Sequence, residues 1–278
     1  LWKGYTLWDL YNLGQTPLEW HKSLFKYAKD KNIKIFSTPF SEEAVYFLEK
    51  LGCHAYKIAS FEMNDYNLVK VAAKTKKPLI LSTGISNMDE IENAVFVAKK
   101  NGCKDLTLLY CVSNYPSQST DFNLNYIEEF KKRFKCRVGL SDHSLASEIA
   151  KYSLISGATV FEKHIALQNQ KEGLDLDFSL RGKELKAYND SLRKTFQLIS
   201  NKNFTRSKNE LENKVFRRSI YTVKDIKKGD ILSKKNIRTF RPEKGISANY
   251  YLDVLNKKSP IDIKKNFPLP KHMLNKLL

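Results

Sequence analysis

Short apolar runs that end in small polar or ionisable residues recur along the chain, and their starting points are 21 to 31 positions apart. They occupy residues 34–40, 55–62, 78–84, 106–113, 137–143 and 159–166. The sequence between successive runs has the spacing of amphipathic helices, which predicts βα units around a buried parallel sheet. The polar ends of the runs then share the carboxyl edge of the sheet, where parallel α/β folds place their active sites.

Six consecutive βα units favour a closed barrel over an open sheet. A (β/α)₈ TIM-type barrel has eight strands and typically ~250 residues. Residues 1–33 supply only helical material, so we expect the two remaining units to precede Leu1. The predicted fold class is therefore α/β, a TIM-type barrel that lacks its first two βα units and occupies residues 1–200.

The composition and the hydrophobic pattern of the sequence change after residue 200. Residues 201–214 are polar and highly charged, as in a linker. Residues 215–278 contain short β-like runs broken by turns such as KKGD and RPEKG. This part predicts a second, small and mostly β domain.

Hydropathy and cysteine spacing indicate where in the cell the protein is expected. The chain has no uncharged apolar run of 18 residues, and its first residues have no signal-peptide pattern, so we expect no contact with a membrane. Its four cysteines show no C-x-x-C spacing. A disulfide framework is not indicated, and we expect a cytoplasmic location.

The formal net charge of +18 raises the question of nucleic acid binding. The lysines are spread over predicted helix faces and the last third of the chain, with acidic residues between them. No zinc-finger spacing, recognition helix or RNP aromatic pattern accompanies them. The charge favours a solvated lysine-rich surface, with a bias toward small anionic substrates and without a nucleic acid partner.

Two histidines lie at the ends of predicted strands, one βα unit apart. His143 ends the run RVGLSDH, and His164 follows 21 residues later in VFEKH. Neighbouring strand ends can bring two imidazoles onto one divalent ion. Two histidines without cysteine suit Mn²⁺ or Mg²⁺ with positions open to water and substrate oxygens, rather than a closed zinc site. Core or hydrogen-bonding histidines are the alternative, which the sequence leaves open.

The same edge is predicted to carry groups that favour an anion. A lysine inside an apolar strand, Lys57, is unusual because buried lysines are rare unless they are paired. Hydroxyl groups and a carboxylate accompany it at the strand ends: Thr38, Ser60, Glu62, Ser82, Thr83, Ser113, Tyr115 and Ser141. Hydroxyls, a lysine and backbone N–H groups at helix starts together bind phosphate or carboxylate groups. Several of the hydroxyls are also expected to cap helices.

The motifs YKIASFE, ILSTG, CVSNYP, GLSDHS and EKHI, in this order and spacing, resemble the sialic acid synthase (NeuB-type) family. The segment LWDLYNLGQTPLEWH and the motif KIASFE resemble its pseudaminic acid branch most. The tail RRSIYTVKDIKKGDILSKKNIRTFRPEKG resembles the SAF, type III antifreeze-like, domain of the same family. The resemblance implies condensation of phosphoenolpyruvate with a 2,4-diacetamido-2,4,6-trideoxy hexose to a nonulosonic acid, with release of phosphate.

Transferred position by position, the resemblance implies roles for individual residues. His143 and His164 correspond to the metal ligands. The positions that hold phosphoenolpyruvate correspond to Lys57, Thr38, Ser60, Ser82, Ser113 and Ser141, of which Ser113 replaces an asparagine of the neuraminate enzymes. Tyr115, Glu62 and Asp175 lie near the sugar, and Glu62 and Lys57 are the implied catalytic groups. Arg241 corresponds to an arginine that reaches the active site of a partner subunit, which implies a domain-swapped homodimer.

One departure from the family affects the expected activity. In the enzymes of the family, the first barrel strand carries a glutamate in a motif like N-H-x-G, and the second strand carries a phosphate-binding lysine. Neither segment occurs in these 278 residues. An inactive truncated fragment that binds sugars or anions is therefore one alternative. The other is an N-acetylneuraminate or legionaminic acid synthase, which uses the same chemistry.

Overall fold

The computed structural model describes residues 4–200 and 203–278, and the chain divides into two compact units, Leu1–Asn201 and Lys202–Leu278. Residues 201 and 202 of the predicted linker lie outside the described residues. No helix among the residues described is long and apolar enough to cross a membrane.

The first unit contains a five-stranded parallel sheet with strands in sequence order. Its strands are β1 (Tyr56–Ile58), β2 (Leu79–Ser82), β3 (Leu106–Cys111), β4 (Arg137–Asp142) and β5 (Val160–Lys163). Its helices are α1 (Leu7–Gly14), α2 (Leu18–Asp30), α3 (Glu42–Lys50), α4 (Tyr66–Lys74), α5 (Met88–Lys100), α6 (Asn125–Phe134), α7 (Ser147–Ile155) and α8 (Gly182–Ile199). Two further strands, β6 (Ile165–Ala166) and β7 (Leu180–Arg181), pair with each other in parallel.

The strands form because their apolar side chains are buried on both faces of the sheet. Leu81 in β2, Leu108 in β3 and Leu140 in β4 are completely buried. Continuous apolar runs of this kind are typical of parallel sheets that helices cover. The helices contribute Val69 of α4 and Ala94 of α5 to the same core.

Helix ends follow signals in the sequence. The Ser41 hydroxyl accepts a hydrogen bond from the Ala44 N–H at the start of α3. Asn87 and Glu90 form a capping box at the start of α5. Gly52 and Gly102 follow the ends of α3 and α5 with φ of +74° and +102°, a conformation that glycine adopts without strain. Each helix is thereby stopped just before the next strand.

Strand β4 approaches β5 unusually closely at Gly139. Gly139 is the register partner of Val160, and a Cβ atom at this position would lie 2.2 Å from the Val160 carbonyl oxygen. Glycine is required here because the obstructing atom belongs to the backbone.

The first and last predicted strands differ from the expectation. Residues 34–40 form no strand, and only Ser37 makes a parallel bridge to Tyr56 of β1. No described segment pairs with the other side of this run, and Phe36 and Phe40 are exposed. The run 159–166 is divided between β5 and β6, because the chain leaves the main sheet after Lys163 and pairs with β7 instead.

The second unit is small and largely irregular. It contains α9 (Lys208–Glu212), β8 (Ser219–Thr222), β9 (Ile237–Phe240), α10 (Tyr251–Val254) and α11 (Leu274–Leu277). Strands β8 and β9 are antiparallel, and single bridges join further segments to them and to one another. The unit has its own core, which includes Ile220, Leu232, Ile237, Leu269 and Met273.

Candidate active site

The polar residues that end the strands of the first unit meet at the carboxyl edge of its sheet. His143 directly follows β4, and His164 directly follows β5. Their ring centroids lie 5.3 Å apart, with 58° between the ring planes. The structure thus brings the two predicted metal ligands together.

Each imidazole is oriented through one ring nitrogen. His143 Nδ1 lies 3.1 Å from the Val112 carbonyl oxygen, to which it can only donate. His164 Nδ1 lies 3.3 Å from an Asp175 carboxylate oxygen. An Nδ1–H that binds an oxygen acceptor leaves the Nε2 lone pair available, as in metal-binding histidines whose other nitrogen is held by the protein. Asp175, predicted to lie near the sugar, is therefore beside the histidine pair.

Burial determines the charge of His143. Its side chain is almost completely buried, and this burial lowers the pKa of the imidazole. The neutral ring is the form that binds a metal ion. The pKa shift therefore agrees with a ligand role.

Aromatic rings pack against the two histidines. Phe178 is buried, and its ring centroid lies 5.0 Å from that of His164 and 5.2 Å from that of Tyr115. The Tyr115 ring is 4.3 Å from His143. Burial raises the pKa of Tyr115 to about 12, so its phenol keeps its proton at neutral pH and can donate a hydrogen bond. Phe178 was not identified from the sequence, because an isolated aromatic in a loop carries no signal.

Lys57 has a carboxylate partner, which explains how a lysine is accommodated in a buried strand. Its Nζ lies 3.4 Å from Glu162 Oε1, and the Lys57 side chain is only 13% exposed. The Ser141 hydroxyl donates to the same oxygen at 2.7 Å. Glu162 thus links two predicted anion-binding residues that come from β1 and β4. The sequence did contain a signal for Glu162, since it too is an ionisable residue within an apolar run.

Gly84, which lies just after β2, brings together the hydroxyls that follow β1 and β3. The Gly84 N–H donates to the Ser60 hydroxyl at 3.1 Å. A Cβ atom on Gly84 would lie 2.1 Å from Ser113 Oγ and 2.8 Å from Ser60 Oγ. Glycine at this position therefore leaves the space in which the two hydroxyls converge. Ser82 is buried at the end of β2, and its Oγ has no hydrogen-bond partner.

Glu62 is held in a half-buried position after β1. Burial raises the pKa of its carboxyl group, and nearby Lys57 partly opposes this shift. Its Oε2 atom is buried without a hydrogen-bond partner. A buried polar atom without a partner is costly, so the unpaired oxygens of Glu62 and Ser82 mark places where a ligand can supply the missing bonds.

Two predicted residues lie apart from these contacts. Thr38 is half-buried one residue beyond the Ser37–Tyr56 bridge, level with Lys57. Arg241 belongs to the second unit, where it is exposed and precedes a cis peptide bond to Pro242.

The donor set fits an open metal site rather than a closed one. Within residues 4–200 and 203–278, no group of three or more His, Cys, Asp and Glu side chains is arranged to hold a metal ion. The histidine pair offers two ring nitrogens as donors and leaves the other positions to water or substrate oxygens. Such a set lacks the four closed ligands of a structural zinc site and suits a divalent ion that also binds water or substrate oxygens.

Comparison with protein families identifies the family of each part of the chain. The NeuB family model matches residues 1–204, and the SAF domain model matches residues 217–275. The chain belongs to the NeuB family. The resemblance of the strand-end motifs to NeuB-type synthases is thereby confirmed, as is that of the tail to a SAF domain.

Individual members of the NeuB family are similar over most of the chain. The pseudaminic acid synthase of Campylobacter jejuni serotype O:2 is 40% identical over 264 residues, which are 95% of this chain and 77% of that protein. The N,N'-diacetyllegionaminic acid synthase of the same organism is 39% identical, covering 87% of this chain and 74% of that protein.

A solved structure confirms the fold. A putative spore coat polysaccharide biosynthesis protein E from Chromobacterium violaceum superposes with a TM-score of 0.82. It is 23% identical, and the match covers 97% of this chain and 82% of that one. The predicted fold class, a TIM-type α/β barrel followed by a SAF domain, is therefore correct.

Proposed function

We propose that this NeuB family enzyme is a pseudaminic acid synthase, which condenses phosphoenolpyruvate with a 2,4-diacetamido-2,4,6-trideoxy hexose and releases phosphate. The 40% identity to the Campylobacter pseudaminic acid synthase supports this choice of product. The observation that carries the chemistry is the juxtaposition of the His143–His164 pair with the Lys57–Glu162–Ser141 group at one edge of the sheet.

Phosphoenolpyruvate presents a phosphate and a carboxylate, and the site offers a cation and hydroxyls to bind them. Lys57 supplies the charge, and Ser60 and Ser113 supply hydroxyls around the space left by Gly84. Ser141 is held beside Lys57 through their shared partner Glu162. Thr38 and Ser82 are the further predicted donors. Donors that are fixed before the substrate binds stabilise charge that develops during the reaction, because they need no reorganisation.

The sugar is proposed to bind beside the aromatic cluster. Tyr115 keeps its phenolic proton and can donate to a sugar oxygen, and Asp175 can accept from a sugar hydroxyl. Glu62, whose raised pKa favours retention of its proton, is the proposed acid that protonates the aldehyde oxygen. Asp175 and Glu62 thereby have separate tasks, binding and proton transfer.

The reaction makes one carbon–carbon bond, makes one carbon–oxygen bond from water at C2, and breaks the carbon–oxygen bond that joins C2 to phosphate. The enol carbon of phosphoenolpyruvate attacks the aldehyde carbon, whose oxygen takes up a proton and becomes a hydroxyl. Water adds to C2 and loses one proton, which balances the proton taken up by the aldehyde oxygen. Phosphate then leaves with its bridging oxygen and takes the second proton of the water, and C2 becomes a carbonyl carbon. Lys57 and the hydroxyls are proposed to hold the phosphate through both steps.

His143 and His164 are the proposed ligands of a divalent ion, Mn²⁺ or Mg²⁺. When bound, such an ion polarises an oxygen of the substrate as a Lewis acid, which is worth several kcal/mol. The free Nε2 atoms and the neutral state of His143 support this assignment.

Substitution of His164 tests the function. The chain is assayed for Mn²⁺-dependent phosphate release from phosphoenolpyruvate with the pseudaminic acid precursor, and we expect His164→Ala to abolish it. Lys183→Ala, an exposed change in helix α8, is the control and should retain full release. Unchanged release by His164→Ala would remove the metal assignment.

A legionaminic acid synthase is the second candidate, favoured by the 39% identity to that Campylobacter enzyme. It uses the same chemistry on a different acetamido sugar. A comparison of kcat/KM for the two precursors and for N-acetylmannosamine decides between them. Calorimetric binding of phosphoenolpyruvate without turnover of any sugar would instead indicate an anion-binding fragment.

We also propose a cytoplasmic, domain-swapped homodimer in which Arg241 completes the site of the partner. The four free thiols favour the cytoplasm. If Arg241 acts in trans, mixing inactive Arg241→Ala with inactive His164→Ala protein should restore about a quarter of the activity when subunits exchange freely, because mixed dimers contain one intact site. Activity that stays absent in mixed dimers confirmed by native mass spectrometry would contradict the exchange.

A further inference from the structure

A buried polar network joins the strands that precede the two histidines. It consists of Asp142, Ser144, Lys163 and Tyr188, which we call the β4–β5 clamp. The side chains of Asp142 and Lys163 are 1% and 6% exposed, and Asp142 Oδ2 lies 3.4 Å from Lys163 Nζ. Neither residue has a part in the proposed chemistry.

The Asp142 carboxylate is the centre of the clamp. Its Oδ1 accepts hydrogen bonds from the Ser144 N–H at 2.9 Å and the Ser144 hydroxyl at 2.7 Å. Its Oδ2 accepts one from the Tyr188 hydroxyl of α8 at 3.3 Å. Lys163 Nζ also donates to the Ser144 carbonyl oxygen. Every charged atom of the pair therefore has a partner.

The clamp lies where the hydrogen-bond ladder between β4 and β5 stops. Asp142 and Lys163 are the last register partners of the two strands, and each directly precedes one of the histidines. Beyond this pair the backbones diverge: the His143 carbonyl accepts from Ser117, and the His164 carbonyl accepts from Leu180. The Asp142–Lys163 pair is thus the last cross-strand link before the imidazoles.

Stability alone does not account for such a pair. Removing two charges from water is costly, and well-packed apolar residues of similar volume often stabilise a core as well or better. A charged pair with four oriented donors does, however, permit only one relative position of the two strands. A function that depends on the distance between two imidazoles gains from that restriction.

We infer that Asp142, Lys163, Ser144 and Tyr188 are positioning residues, which keep the rings of His143 and His164 as close together as a shared metal ion needs. The role of these residues in metal binding rests on the proposed function, but the closeness of the two histidine rings can be measured without a metal ion. Its test is therefore made first on the metal-free protein.

The test uses the full chain with isotopically labelled histidine. Ring centroids 5.3 Å apart predict a nuclear Overhauser contact between ring protons of His143 and His164. We expect this contact in the unaltered chain and its loss in Lys163→Met. Lys77→Met is the matched control, because Lys77 pairs with Glu49 elsewhere in the same unit, and it should keep the contact.

Circular dichroism shows whether Lys163→Met folds. If it does not fold, two further variants keep the test decisive. Asp142→Asn combined with Lys163→Met removes both charges and keeps an acceptor for Ser144. Tyr188→Phe removes only the α8 hydrogen bond and should weaken the contact. An unchanged contact in folded Lys163→Met or in the folded double variant overturns the inference.

Binding of Mn²⁺, measured by electron paramagnetic resonance, gives the second readout. Changes to residues that orient metal ligands typically weaken affinity about 10- to 100-fold, and we expect a Kd increase of this size for Lys163→Met but not for Lys77→Met. If the unaltered chain shows the histidine contact but binds no Mn²⁺, the proposed metal role fails while the positioning inference is decided by the contact alone.

Discussion

At the scale of single residues, the site is defined by which polar atoms have partners and which do not. Lys57 Nζ has a partner in Glu162, whereas Glu62 Oε2 and Ser82 Oγ are buried without a hydrogen bond. Folding tolerates such unpaired atoms only at a cost, which a bound substrate can repay. The stability of the free protein should therefore improve when one of these groups is made easier to bury.

Glu62→Gln should stabilise the free protein near neutral pH. Burial raises the folded-state pKa of Glu62 above its ordinary value of 4.5, so the folded state binds the proton more tightly than the unfolded state. The favourable contribution is present below pH 4.5 and is lost as the pH rises through the folded value. We therefore expect Glu62→Gln to raise Tm at pH 8, with a gain that shrinks toward pH 4.5.

Glu43→Gln is the control with the opposite sign. Hydrogen bonds at the start of α3 lower the pKa of Glu43, so its contribution is present at neutral pH and is lost on acidification. This variant should lower Tm at pH 8. A Glu62→Gln gain that does not depend on pH would contradict the burial argument.

At the scale of elements, the close approach of β4 and β5 decides whether the two histidines meet. The approach depends on Gly139, since a methyl group there would meet the Val160 carbonyl oxygen. Backbone atoms cannot swing aside as a side chain can, so the two strands would have to separate. This separation would lengthen the backbone hydrogen bonds between β4 and β5, whose last register pair is Asp142 and Lys163.

Gly139→Ala should therefore destabilise the first unit. Overpacking of a core costs typically about 1–3 kcal/mol, and an obstruction by backbone places this change toward the upper end. Urea unfolding measures the loss. Gly14→Ala is the control, because its methyl group would meet only the tip of Leu174 at 3.2 Å, and it should change the unfolding free energy far less.

The sequence predicted the elements that depend on local pattern. Apolar runs located β1 to β5, because periodicity is a property of neighbouring residues. The run at 34–40 was wrongly predicted as a full strand, since a strand also needs partners, and Ser37 alone finds one in Tyr56.

The sequence predicted one part of the candidate site, the histidine pair, but not the contacts of Lys57. The His143–His164 juxtaposition follows from the equivalence of strand ends in successive βα units. The pairing of Lys57 with Glu162 depends on side chains from β1 and β5, strands at opposite edges of the sheet. No spacing in the sequence encodes such a contact, and the same holds for Phe178 between the rings.

At the scale of the whole molecule, positive charge is concentrated in the second part of the chain. Residues 203–278 contain 19 lysines and arginines against 7 aspartates and glutamates. In the first unit, a cavity of about 370 Å³ at the amino ends of the strands is lined by basic residues, including Lys99 and Lys131. Both lie in the last turns of helices, where a cation complements the helix dipole, so this basic lining has a structural origin.

The partly paired edges of the five-stranded sheet affect how the protein behaves at high concentration. The run beside β1 pairs through Ser37 alone, and within the described residues β5 has a ladder only with β4. Open strand edges template pairing between chains, and a net charge of +18 opposes it by repulsion. Light scattering should therefore reveal self-association of the protein that grows with added salt. A protein that stays monodisperse at 1 M NaCl would show that the strand edges are protected. Concentrated stocks of the protein are best kept at low ionic strength.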